Sequence, residues 1–181
     1  MKQRSSLIWI VTAMIVLAAL MRLAIYPANF SPVIAMALFG GAVIKDKKLA
    51  FLLPLLAMFI SDLAFELSGI ADGFWGWGQL IGYGILAIIT VLAFNLKKIN
   101  GINVLGYSVG ASLLFYLLSN ASVWVFDSYQ LYPDNWQGFK DCMIAGIPFI
   151  KNTLLATLLF SAVLFGGYAW FAKTNNAAAT A

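Results

Sequence analysis

Long apolar runs divided by short polar breaks set the pattern of this chain. The first run extends from Leu7 to Tyr26 and is interrupted only by Arg22. A shorter one, Pro32 to Ile44, stops at Lys45-Asp46-Lys47-Lys48. Others cover Leu49–Leu67, Gln79–Leu96 and Val104–Phe126, and the last covers Ile150–Ala172 after a polar stretch at 127–141. At about 1.5 Å of rise per residue, five of the six are long enough for a bilayer core of roughly 30 Å. The expectation is an all-α integral membrane protein built as a six-helix transmembrane bundle. Its single domain covers 1–173, with spans at about 7–26, 32–44, 49–67, 79–96, 104–126 and 150–172. The low-complexity tail, 174–181, is expected to be disordered.

The second run is the exception, because thirteen residues reach only about 20 Å. Ser31 suits an N-cap, and Pro32 suits the first helical position, where its missing N–H costs nothing. Pro27-Ala28-Asn29-Phe30 cannot continue a helix. The spacing predicts a short helix entered by irregular backbone, which survives at membrane depth only beneath other protein or beside a water-filled cavity.

Composition narrows the class further. The chain has 181 residues, 62% hydrophobic and 10% charged, and its mean hydropathy is +0.90. A soluble domain carries about 25% charged residues, so soluble enzymes, disordered tails and disulfide scaffolds are poor readings. The absence of histidine excludes imidazole metal ligands and His-based triads, and no cofactor is expected. Cys142, the only cysteine, has no partner for an intramolecular disulfide and reads as a small apolar filler. The net charge of +4 does not imply nucleic acid, because the bases lie in short groups between apolar runs rather than on one face.

Those bases set an orientation. With the N-terminus inside, eight of the eleven (Lys2, Arg4, Lys45, Lys47, Lys48, Lys97, Lys98 and Lys173) fall on the cytoplasmic side. Six of the seven acids fall at or near the other side. Short loops rich in Lys and Arg stay inside, so both termini are expected in the cytoplasm of a multi-pass inner-membrane protein. Trp75, Trp77, Trp124 and Trp136 stand where outer-interface anchors belong. The opening apolar stretch is longer than a signal-peptide core and reads as a retained span.

Charges within spans are costly and therefore informative. Arg22, Asp62 and Glu66 are the three, and Asp62 and Glu66 share a helix face. Arg22 and Asp62 lie at similar depths, about 22 and 20 Å from the cytoplasmic helix starts. They read as a structural ion pair, as ligand contacts or as part of a proton relay. The ligand-binding candidates are Asn29, Ser31, Asp62, Asn120, Tyr132, Trp136 and Asn152, polar and aromatic groups brought to the outer side by three loops. The same residues also suit an aromatic belt with ordinary loops. Small residues at Gly78/Gly82 and Gly106/Gly110 permit close helix approach, within the bundle or against another protein.

Arg22, the stretch Tyr-Pro-Ala-Asn-Phe-Ser-Pro-Val-Ile-Ala-Met-Ala-Leu-Phe-Gly-Gly at 26–41, Pro54 and Asp62 resemble an uncharacterised bacterial family of six-span membrane proteins. Asn120–Trp124, Tyr132-Pro133 and Pro148–Leu154 extend the resemblance over roughly 20–168. Members often carry His where this chain has Tyr26. That family in turn resembles the substrate-binding (S) components of energy-coupling factor (ECF) transporters. The resemblance implies a vitamin or metal-ion pocket beneath the outer loops and docking to a transmembrane coupling subunit with ATPases. The Ala-x-x-x-Ala coupling motif of S components is not clean here, since Ala13, Ala18, Ala19 and Ala24 lack its spacing.

The expected function is a transporter component that takes up a small molecule, vitamin-like or metal-related, from the outer side. No Gly-x-x-x-x-Gly-Lys-Ser/Thr loop is present, so partners would hydrolyse ATP. The alternative is a non-transport membrane scaffold or assembly factor. Enzymatic activity is not expected, because no Ser stands beside an intramembrane Lys and no His exists to serve as base.

Overall fold

The computed structural model describes residues 2–24, 27–74, 76–126 and 130–178, with side chains from Ile8 to Lys173. The described residues form six helices: α1 Lys2–Met21, α2 Val33–Val43, α3 Lys47–Ser68, α4 Trp77–Ala93, α5 Gly101–Val125 and α6 Trp136–Ala178. Three are long and apolar enough to cross a membrane, namely α3, α5 and α6 over Trp136–Lys173. The described residues of the links 22–32, 69–76 and 126–135 gather at one end of the bundle. The links 44–46 and 94–100 lie at the other, with the start of α1 and the end of α6.

The short helix is the centre of the molecule. Residues Ile34 to Gly41 of α2 are all buried, and α2 packs against each of the other five helices. Eleven residues span only about 16 Å, too short to cross a membrane, and the helix is enclosed by its neighbours. Small residues make that enclosure tight. A Cβ on Gly41 would overlap the Thr90 carbonyl oxygen of α4 and stand 2.8 Å from the Ala93 Cβ. Phe39 fills the opposite side, edge-on to Phe165 at 5.3 Å and to Tyr168 at 6.0 Å. The Leu-Phe-Gly-Gly element of the sequence is thus a packing device.

Several boundaries differ from those read in the sequence. Helix α1 ends at Met21 rather than Tyr26, and the chain then tightens into i→i−3 bonds, Arg22 N to Ala19 O at 3.1 Å and Leu23 N to Leu20 O at 3.0 Å. Pro32, with φ −75° and ψ −5°, already has helical backbone angles and carries no side-chain cap. Ser31 therefore does not perform the expected capping. The largest difference is α6, which starts at Trp136 instead of Ile150 and continues beyond residue 173 to Ala178. Asn135 explains the early start: its Oδ1 accepts from Gln137 N at 2.9 Å and Gly138 N at 3.0 Å, a side-chain N-cap. Pro148 sits inside this helix.

Candidate ligand cleft

Three polar arrangements gather at the end that holds the 22–32, 69–76 and 126–135 links. Arg22, just past α1, reaches α3, where its Nη1 lies 2.7 Å from Asp62 Oδ1. The same guanidinium donates to Met58 O at 3.1 Å and to Ser61 Oγ, and it lies 5.5 Å from the centre of the Phe65 ring. Asp62 Oδ2 accepts from Gln79 Nε2 at 2.8 Å and from the Tyr83 hydroxyl at 2.5 Å. Both carboxylate oxygens are thus engaged within the protein, and Asp62 is only 2% exposed.

This cluster also fixes the start of α4. Gln79 Nε2 donates to Gly73 O at 2.9 Å, and Glu66 Oε2 accepts from Gly73 N at 3.1 Å and Phe74 N at 3.3 Å. Gly73 lies so close to α3 that a Cβ there would overlap the Asp62 carbonyl oxygen. Residue 73 must therefore lack a side chain for the link to fold back onto α3. Arg22, Asp62, Gln79 and Glu66 together brace α1, α3 and α4.

The second arrangement is a clasp between the α1–α2 link and α6. Asn29 takes left-handed backbone (φ 60°), which Asn tolerates better than most residues. Asn152 Nδ2 donates to Ala28 O at 2.9 Å, and Thr153 Oγ1 to Asn29 O at 3.4 Å. These bonds supply donors to carbonyls that irregular backbone leaves without helical partners.

The third is a cleft of about 1540 Å³ between the first half of α4 and the second half of α5, beneath the 130–134 segment. Trp77, Phe115, Phe126 and Tyr132 provide aromatic walls, and Ser119, Ser122, Gln130 and Asp134 provide polar groups. Gly78 and Gly82 lie along its α4 side, and a Cβ on Gly82 would meet nothing within 4 Å. Gly82 therefore faces open space where the sequence suggested a helix contact.

The seven ligand-binding candidates divide among these places. Tyr132 lines the cleft. Asp62 lies in the buried cluster, and Asn152 and Asn29 both belong to the clasp, Asn152 through Ala28 and Asn29 through Thr153, with Ser31 partly buried beside it in sequence. Asn120 belongs to the α5–α6 seam: its Nδ2 donates to Tyr116 O at 2.8 Å, and a Cβ on Gly146 would stand 2.7 Å from its Cγ. Trp136 is 70% exposed and stacks on Phe139 at 5.3 Å. Trp124 Nε1 donates to Pro133 O at 3.1 Å and holds the 130–134 segment over the cleft. Sequence reasoning missed Gln79 and Tyr83, and it read Trp77 as an interface anchor rather than as a cleft wall. The Gln79/Tyr83 spacing of four was a usable signal, since it puts both donors on one helix face. Tyr26, Trp75 and the 127–129 stretch lie outside the described residues.

Six helices among the described residues, three of them long and apolar enough to cross a membrane, make this an all-helical protein with membrane-type helices. The chain belongs to a family of unknown function (DUF6580), whose pattern matches residues 2–179. No curated protein and no solved structure matches it.

Proposed function

We propose that the protein is a component of a membrane transporter, taking up a small molecule from the outer side with energy supplied by a coupling subunit and ATPases. In this reading all six helices cross the inner membrane and both termini are cytoplasmic, in the manner of the S components of ECF transporters. The helices too short to span alone, α2 above all, are accommodated by the surrounding bundle.

The observation that carries the reading is the cleft between α4 and α5. Binding sites for small molecules are concave, mostly apolar and aromatic, with a few polar groups that fix orientation. The walls of Trp77, Phe115, Phe126 and Tyr132 with Gln130 and Asp134 meet that description. They favour a vitamin-like organic molecule over a metal ion. The end of the bundle that holds the cleft is poor in Lys and Arg, as an outer face should be.

Native mass spectrometry of the detergent-purified protein tests the proposal. A single small molecule retained by the folded protein and lost on denaturation is the expected result. A protein free of any bound molecule, purified from cells together with assembly or secretion proteins, would favour the scaffold reading.

A further inference from the structure

The end opposite the cleft carries a concentration of charge that uptake does not use. Lys45, Lys47 and Lys48 stand at the α2–α3 link, and Lys97 and Lys98 at the α4–α5 link; all five are exposed. The only acid among them, Asp46, is occupied as the N-cap of α3, its Oδ1 accepting from Lys48 N at 2.9 Å and Leu49 N at 3.2 Å. With these five bases and one acid set aside, the remaining six bases and six acids of the chain cancel. The whole net charge of +4 is therefore accounted for by this patch.

The two links are held together as one surface. Ile44 and Leu96, each 4% exposed, anchor them in the core. Phe94 meets Phe51 edge-on at 5.5 Å, and Lys47 Nζ lies 3.5 Å from the centre of the Phe94 ring. Exposed apolar side chains continue from the lysines along the helices. Leu52 and Leu56, 48% and 42% exposed, follow Lys48 at four-residue intervals on one face of α3. Ile102, at the start of α5 just after Lys98, is 83% exposed.

The geometry points to a site for an anionic phospholipid, its phosphates held by Lys45, Lys48, Lys97 and Lys98 and its chains lying along α3 and α5. Basic groups beside the end of a membrane helix attract acidic headgroups at roughly 1 kcal/mol per residue. The adjoining apolar face selects an amphiphile over free phosphate.

Full-length protein in detergent, incubated with equal amounts of cardiolipin and phosphatidylcholine, tests this by native mass spectrometry. The wild type should retain cardiolipin preferentially. The quadruple variant K45Q/K48Q/K97Q/K98Q, which spares Lys47 on Phe94, should retain about tenfold less or lower. K140Q/K151Q, at the opposite end, should behave as wild type. If the quadruple variant misfolds, K97Q/K98Q, outside the helices, serves instead, and added salt should release cardiolipin from the wild type. Equal retention of the two lipids, unchanged retention in the variants, or stronger displacement by inorganic phosphate than by sodium chloride of equal ionic strength would each overturn the proposal.

Discussion

Gly40 and Pro54 meet so closely that a Cβ on Gly40 would stand 2.6 Å from the Pro54 Cγ. The same Cβ would stand 3.2 Å from the carbonyl oxygen of Ala50. That carbonyl is the one Pro54 leaves without its helical N–H. Proline in α3 and glycine in α2 thus form one contact, in which the bare Gly40 backbone covers the gap in the neighbouring helix.

Gly40→Ala and Gly41→Ala are accordingly expected to destabilise the protein by about 1–3 kcal/mol each, the usual cost of overpacking. Gly41→Ala should be the worse, because its obstacle is the Thr90 backbone. Gly106→Ala and Gly110→Ala, where a Cβ meets nothing within 4 Å, should be neutral or stabilising by up to about 1 kcal/mol. Thermal unfolding of the four variants in one detergent checks the contrast. Equal losses at all four would show that α2 is not closely packed.

Asp62→Asn and Arg22→Gln should each lower stability, by about 3 kcal/mol if the unpaired charge stays buried. The double variant should recover part of the loss, because it removes both charges. A double-mutant cycle on unfolding midpoints measures the coupling. Strictly additive losses would mean that the 2.7 Å contact contributes nothing.

How far the sequence could be read depended on the range of each interaction. Hydropathy alone located the helical runs, and counting residues along α1 and α3 put Arg22 and Asp62 at one level. The start of α6 was hidden because Gln137, Lys140 and Asp141 are polar. The local signal there was Asn135, a side-chain cap after Pro133, which hydropathy does not register. Gln79 and Tyr83 were hidden for another reason: they reach Asp62 only because Gly73 lets the link fold back onto α3. Asn120 and Asn152 share an outer depth but point to different seams, and depth along a helix says nothing about facing direction.

Asn135→Ala should cost about 1 kcal/mol by removing the α6 cap, with Asn135→Asp close to neutral. Thermal unfolding checks the first, and hydrogen exchange at Gln137 and Gly138 shows whether the loss is local to the first turn.

Orientation is open to a labelling experiment. Cysteines placed at Lys47, Lys97 and Lys173 should resist a membrane-impermeant thiol reagent in intact cells, while those at Asp72 and Asp134 should react. Cys142, 1% exposed, should stay silent. Labelling at residue 97 from outside would overturn the six-crossing topology.

Ligand retention by Gly82→Leu tests the central claim most directly. Nothing lies within 4 Å of a Cβ at this position, so the leucine fills cleft space without displacing a helix. It also replaces a poor helix former with a good one, worth up to about 1 kcal/mol. The account predicts an unfolding temperature equal to or above that of the wild type, together with loss of the small molecule that native mass spectrometry finds on the wild-type protein. The same molecule retained at full occupancy by a folded Gly82→Leu protein would contradict it.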